Sequence, residues 1–168
     1  KEEFLLSTGL TFKRESDGAL RDRFYDRVIF PIHNVSGRVV GFGGRTLRTD
    51  KKVAKYQNSP ESDIYNKRRE LYGFYFAKKA IQQQDNAILV EGYADVISMH
   101  QAGVENVVAS SGTSLTEEQI RLISRFTRNM TLMFDGDPAG VKAALRGVDL
   151  VLKEDMNVRI VLLPEEHD

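Results

Sequence analysis

Short apolar runs that end abruptly in acidic residues mark the second half of the chain. Three runs have this form, at residues 87–90, 130–134 and 158–163. The acids that follow them are Glu91, the pair Asp135 and Asp137, and Asp168. Short apolar runs bounded in this way are typical of buried parallel strands. Because the carboxyl ends of parallel strands share one edge of a sheet, we expect these acids to lie together there.

Segments with helical spacing alternate with these apolar runs. Helices are predicted from about Ala94 to Ala102, from a capping box at Ser114 or Thr116 to about Thr127, and from Pro138 to about Asp155. The predicted inner face of the last helix consists of Val141, Leu145, Val148 and Leu152. Alternation of strands and helices predicts a parallel sheet with right-handed crossovers.

The first half of the chain follows a different pattern. Two apolar segments, residues 27–32 and 38–42, flank a turn and predict a hairpin, and Pro31 indicates an edge strand. Residues 47–63 are predicted to form a polar loop. A helix is predicted from Tyr65 to Gln84, with its apolar stripe facing the core.

We therefore expect an α/β chain that divides at residue 86. Residues 87–168 are predicted to form a mostly parallel sheet with flanking helices, preceded by a smaller, mixed α+β subdomain. Residues 1–86 hold 17 Lys and Arg against 11 Asp and Glu, whereas the remainder holds 7 against 13. This asymmetry favours a polyanionic partner for the basic half, although a chance division of surface charge would look the same.

Composition excludes several classes of protein. The chain of 168 residues is 41% hydrophobic and 29% charged, which is typical of globular proteins. No apolar run approaches the roughly 18 residues of a membrane span, and no secretory signal is visible, so we expect a cytoplasmic protein with no membrane partner. Without cysteine there is no disulfide framework and no thiolate metal site, and no zinc site is expected. The chain lacks an initial methionine and stops within an acidic stretch, so we expect a fragment of something longer.

Clustered carboxylates repel one another and normally require a cation. Ligands that are all oxygen favour Mg²⁺ or Mn²⁺ over zinc. Asp95, one helical turn after Glu91, could reach the same cation or simply stabilise the first turn of its helix. Asp137 has a similar alternative as the N-cap of the helix that begins at Pro138.

Two acidic motifs carry a resemblance to a known family. The sequence Glu91-Gly92-Tyr93-x-Asp95, followed by Asp135-Gly136-Asp137, resembles the Toprim signature of bacterial primases, topoisomerases and some nucleases. The first half resembles the part that is specific to primases, in residues 22–24, 27–32, 37–45 and 55–67. From about residue 22 onward, the chain is therefore similar to the RNA-polymerase core of DnaG-type bacterial primases.

The resemblance implies synthesis of short RNA primers on a single-stranded DNA template by nucleotidyl transfer from NTPs. It implies two or more Mg²⁺ or Mn²⁺ ions held by Asp135, Asp137 and Asp168, with Asp95 nearby and Glu91 as a further ligand or as the base. The residues implied to contact template, nucleotide or primer are Arg23, Arg45, Lys55, Tyr56, Asn58 and Lys67. A replicative helicase is implied as a partner through a domain outside this sequence.

Two alternatives remain open on the sequence alone. A Toprim nuclease or topoisomerase fragment would share the acidic motifs, but it would cleave or relax DNA instead of making primers. A non-catalytic Toprim DNA-binding module is the other alternative, and the presence of Glu91, Asp135 and Asp137 argues against it.

Overall fold

The computed structural model describes residues 2–48, 53–110, 112 and 114–163, which fold as two compact units. Among the described residues, the first unit comprises those up to 32 and those within 38–66, and the second comprises 33–37 and those from 67 to 163. The helix that precedes residue 86 packs with the second unit. The domain boundary at residue 86 stays a prediction.

The first unit consists of two small antiparallel arrangements and a short helix. Its elements are α1 (Glu2–Ser7), β1 (Thr11–Lys13), β2 (Leu20–Asp22), β3 (Arg27–His33), β4 (Val39–Thr46) and β5 (Tyr56–Asn58). Strands β1 and β2 pair with each other, and the other three form a sheet in the order β3-β4-β5. The short connection between β3 and β4 makes them a hairpin, as predicted, and β3 with Pro31 is an edge strand. Strand β5 lies within the loop predicted at residues 47–63, so that prediction is wrong there, because these residues pair with β4.

The second unit is a four-stranded parallel sheet with flanking helices. Its helices are α2 (Phe74–Gln84), α3 (Tyr93–Gln101), α4 (Glu117–Ile123) and α5 (Pro138–Lys153). Its strands are β6 (Ala87–Val90), β7 (Val107–Ala109), β8 (Asn129–Asp135) and β9 (Asn157–Leu163). The order is β7-β6-β8-β9, and all three pairings are parallel. The predicted α/β class is confirmed. Within the described part of the chain, no helix is long and apolar enough to cross a membrane.

Helix α2 begins later than predicted. The sequence pattern placed its start at Tyr65, but the helix begins at Phe74. Gly73 has a φ of 81°, a left-handed conformation that interrupts helical geometry. Before it, Tyr72 donates its N–H to the carbonyl oxygen of Ala109 at 2.9 Å and accepts the N–H of Ala109 at 3.1 Å. Pairing with β7 therefore replaces helical hydrogen bonding in this segment.

The predicted inner face of α5 is only partly correct, because Val148 packs against the core but Leu145 and Leu152 do not. The buried residues of the helix are Gly140, Ala144, Gly147 and Val151, each one position before its predicted counterpart. Leu145 and Leu152 remain 60% and 55% exposed. A Cβ added at Gly147 would lie 2.8 Å from the Cδ1 of Leu132. Small residues therefore let α5 approach the sheet closely, a requirement that hydrophobicity alone did not indicate.

Candidate active site

Two of the predicted acids, Glu91 and Asp135, lie at one edge of the parallel sheet. Glu91 directly follows β6, and Asp135 is the last residue of β8. The two strands are parallel neighbours, with Leu89 opposite Leu132. Both carboxylates therefore lie at the carboxyl edge of the sheet, where open α/β sheets bind ligands.

The other acids at this edge change the pKa of Glu91. Partial burial raises the pKa of its carboxyl group, and the negative charges of Asp135, Asp137 and Asp95 raise that pKa further. The side chain as a whole stays exposed, so solvent screens part of this effect. Since all of these causes act in one direction, the four carboxylates share an environment that a cation would stabilise.

Asp95 and Asp137 each hold the first turn of a helix. Asp95 accepts the backbone N–H of Gly92 on Oδ2 at 2.9 Å, at the start of α3. Asp137 is the N-cap of α5 and accepts the N–H of Gly140 on Oδ1 at 2.6 Å. The capping role expected for Asp137 is thus present. Each of these bonds uses one carboxylate oxygen and fixes the orientation of the other.

The chemistry of the donor set fits a hard divalent cation, because it consists of carboxylate oxygens. In residues 2–48, 53–110, 112 and 114–163, no three acidic or histidine side chains are already close enough to hold an ion. Asp168, which was predicted as a ligand, lies outside the described residues. Glu91 and Asp135 lie at the same sheet edge, and the charges of Asp137 and Asp95 act on Glu91, so these carboxylates are the residues that could hold an ion.

Arg23 has an internal role in the first unit. Its Nε donates to the carbonyl oxygen of Gly9 at 2.7 Å, and its guanidinium carbon lies 5.7 Å from the ring centroid of Phe12. These contacts tie the turn after α1 to strand β1. The predicted nucleic-acid contact of Arg23 stays a prediction.

Three of the predicted nucleic-acid contacts lie on β4 and β5. Arg45 is opposite Tyr56 in the antiparallel register, and its guanidinium carbon lies 5.7 Å from the tyrosine ring centroid. Asn58 is opposite Gly43 on the same pair of strands, and Lys55 directly precedes β5 with an exposed side chain. This pairing brings a cation, an aromatic ring and an amide onto one small ribbon.

Arg27 supports that ribbon, a role that the sequence reasoning missed. Its Nη1 donates to the carbonyl oxygens of Gly44 at 3.2 Å, Ala54 at 2.9 Å and Lys55 at 3.3 Å. It therefore fixes the backbone just before Tyr56. No sequence motif marks this role, because all three acceptors are backbone atoms.

Lys67 belongs to the second unit, with the acidic residues, and not to the first. Its carbonyl oxygen accepts the Nε2 of Gln119 at 3.1 Å. The sequence reasoning identified Gln119 only as part of a capping box. Its amide donors, which a capping glutamate would lack, were the available signal for this second contact.

Two family profiles match the chain. The profile described as "DNA primase catalytic core, N-terminal domain" matches residues 1–78, and the profile described as "Toprim-like" matches residues 88–168. The DNA primase of Halalkalibacterium halodurans is 51% identical over 161 residues, which are 96% of this chain and 26% of that protein. The chain thus spans about a quarter of the length of the curated relatives it matches.

Solved structures match the chain over almost its whole length. A DNA primase domain from Pseudomonas aeruginosa has a TM-score of 0.90 at 42% identity, covering 99% of this chain and 52% of that one. A DnaG primase catalytic domain bound to single-stranded DNA has a TM-score of 0.88 at 40% identity, covering 99% of this chain and 54% of that one. Since both sequence and structure agree, the chain belongs to the DnaG-type bacterial DNA primases, carrying the N-terminal domain of their catalytic core and a Toprim-like domain.

Proposed function

We propose that the protein containing this chain synthesises short RNA primers on single-stranded DNA by metal-assisted nucleotidyl transfer from NTPs. The observation that supports the proposal is the position of Glu91 and Asp135 at the ends of neighbouring parallel strands, with Asp137 two residues further on, in a chain of the primase family. Template binding is supported by a relative whose catalytic domain is bound to single-stranded DNA. Contact with a replicative helicase, and action at the replication fork in the cytoplasm, remain predictions.

In the proposed reaction, the 3′-hydroxyl of the primer attacks the α-phosphate of an NTP. A new P–O bond forms, the bond to the β-phosphate breaks, the hydroxyl loses its proton and pyrophosphate leaves. A divalent ion held by the acids would stabilise the negative charge on the entering and leaving oxygens. Glu91 has two possible roles, as a ligand of that ion or as the acceptor of the hydroxyl proton.

Asp135 and Asp137 would contribute fixed charge at the site. The main chain orients Asp137, because one of its carboxylate oxygens is bonded to the N–H of Gly140. A pre-oriented carboxylate needs little rearrangement when charge develops on the phosphate, which is the usual source of electrostatic catalysis. The acids therefore act by position as well as by charge.

The ribbon of β4 and β5 suits a single-stranded template. Arg45 would pair with a phosphate, and Tyr56, a residue that is 37% exposed, would offer its ring to a base. Asn58 and Lys55 would add polar and charged contacts on the same ribbon. Such contacts depend little on sequence, as template binding requires.

Primer extension tests the proposal directly. The chain, completed to the length of its curated relatives, is incubated with primed single-stranded DNA, NTPs and Mn²⁺ or Mg²⁺. Extended primers are expected, and their synthesis should be lost in Asp135→Asn. Nicked or shortened strands without extension would favour the nuclease or topoisomerase alternative. DNA binding with neither result would favour the non-catalytic module.

A further inference from the structure

The start of α4 is bonded to the backbone of a cationic segment, residues 67–70, which we name the basic segment. Thr116, the N-cap of α4, donates its hydroxyl to the carbonyl oxygen of Arg68 at 2.6 Å. Gln119 donates its Nε2 to the carbonyl oxygens of Lys67 at 3.1 Å and Glu70 at 2.8 Å. Two side chains therefore bind three of the four carbonyl groups in the segment.

These bonds go beyond what capping requires. In the cap, Thr116 accepts the N–H of Gln119 on Oγ1 at 3.2 Å, and Gln119 accepts the N–H of Thr116 on Oε1 at 3.2 Å. A glutamate in place of Gln119 would close the same cap, since only a hydrogen-bond acceptor is needed at that position. The glutamine is fully buried, with 0% exposure, and both of its amide hydrogens go to the basic segment. The choice of glutamine is thus explained by the segment and not by the helix.

The basic segment lies at the carboxyl edge of the parallel sheet, which also holds Glu91 and Asp135 and which we name the catalytic edge. Tyr72 forms an antiparallel bridge with Ala109, the last residue of β7. Residues before Tyr72 therefore continue beyond the carboxyl end of β7. Strand β7 is the direct neighbour of β6, which Glu91 follows. The segment and the acids consequently occupy the same edge of one unit.

We propose that Thr116 and Gln119 are positioning residues that hold the basic segment at the catalytic edge, so that Lys67 meets the polyanionic substrate there. This inference rests on the proposed function. The two side chains act through the backbone and do not touch substrate. Without the hydrogen bonds from Thr116 and Gln119, the basic segment would adopt further conformations. Substrate binding would then be weaker, because the segment would have to be ordered when the substrate binds.

The test uses substitutions that distinguish the capping of α4 from the hydrogen bonds to the basic segment. Gln119→Glu keeps the capping acceptor but has no amide donor, and Thr116→Val removes the hydroxyl. Thr116→Ser restores it and serves as the conservative rescue. The matched control is Thr127→Val, which removes a buried hydroxyl that donates to Oδ1 of Asp85 at 2.8 Å, at the opposite edge of the sheet.

Two readouts are measured in the protein completed to the length of its relatives. Limited trypsin digestion with mass spectrometry reports cleavage after Lys67, Arg68 and Arg69. It should accelerate about tenfold in Gln119→Glu and Thr116→Val, because cleavage follows the open population of the segment. The KM for NTP, or the Kd for single-stranded DNA, should rise about fivefold with kcat nearly unchanged, since only binding is lost. Thr116→Ser should match the wild type in both readouts.

The control separates this role from general stability. Thr127→Val should lower the unfolding temperature while leaving cleavage of the basic segment, KM and Kd unchanged. Unchanged cleavage in Gln119→Glu and Thr116→Val would overturn the inference. Faster cleavage with KM and Kd unchanged would also overturn it, because the segment would then do nothing for the substrate. If the wild type extends no primer, the proposed function fails, and trypsin cleavage and DNA affinity still decide this inference.

Discussion

The Cα of Gly140 lies so close to the carbonyl oxygen of Asp135 that no side chain fits between them. The first turn of α5 therefore packs directly on the backbone of a predicted metal ligand. The N–H of the same glycine is bonded to the carboxylate of Asp137. One glycine thus positions both aspartates of the second acidic motif.

Replacing Gly140 by alanine should damage the site as well as the fold. The new Cβ would meet backbone atoms of Asp135 that are fixed in β8, and we expect a loss of stability of about 2 kcal/mol. Gly147→Ala is the matched control on the same helix, since its Cβ would meet the end of the Leu132 side chain and not the backbone. Urea denaturation measures both variants. A smaller loss for Gly140→Ala than for Gly147→Ala would contradict this account.

Asp137 should show separable structural and chemical roles. Asp137→Asn keeps an oxygen for the N–H of Gly140, so stability should stay close to that of the wild type, whereas Asp137→Ala should lose about 1 kcal/mol. Both variants should lose most primer extension, because both lack the charge. Thermal denaturation and extension assays together decide the matter, and an active Asp137→Asn would show that the residue is only a cap.

Glu91 should destabilise the metal-free protein at neutral pH. Its pKa is raised in the folded state by partial burial and by three neighbouring acids, so folding favours the protonated form. Protonation of Glu91 therefore stabilises the fold. This stabilisation is fully present below the pKa of Glu91 in the unfolded state, and it is lost as the pH rises through its pKa in the folded state. Glu91→Gln should therefore be more stable than the wild type in EDTA at neutral pH, with the difference vanishing in acid. Denaturation across pH measures this, and a less stable Glu91→Gln at neutral pH would contradict it.

On the ribbon of β4 and β5, Arg45 should bind DNA through its charge and Tyr56 through stacking, and the two contributions should be distinguishable. Arg45→Ala should weaken binding of single-stranded DNA and reduce the salt dependence by about one ion, because a phosphate contact is lost. Tyr56→Leu should weaken binding by about 1–3 kcal/mol with the salt dependence unchanged, because a stacking face is lost. Fluorescence anisotropy at several salt concentrations measures both effects. Lys13→Ala, a cation of the same unit paired with Glu2, is the control and should bind normally.

The sequence predicted the elements that are determined by local chemistry. The apolar runs before Glu91 and Asp135 do form neighbouring parallel strands, and Pro138 does begin a helix capped by Asp137. Of the two capping boxes that the sequence offered, the one formed by Thr116 and Gln119 begins α4, although the helix ends at Ile123. In each case, the signal is contained within a few consecutive residues.

Features that depend on distant partners were not predicted. The segment before Phe74 has a helical pattern, but its pairing with Ala109 and the left-handed Gly73 overrule it. The inner face of α5 is made of small residues because the sheet lies close, which leaves Leu145 exposed. The glutamine at position 119 indicates that amide donors are available, but nothing in the local sequence identifies their acceptors, which lie about fifty positions earlier.

Titration with Mn²⁺, followed by the electron paramagnetic resonance signal of the free ion, tests the central claim most directly. We compare the wild type with Glu91→Gln, Asp135→Asn and Asp137→Asn, and include Asp85→Asn, at the opposite edge of the sheet, as the control. If acids from β6 and β8 share a divalent ion, each of the first three variants should bind Mn²⁺ at least about tenfold more weakly, and the control should bind normally. Equal binding by the wild type and all three variants would contradict the account.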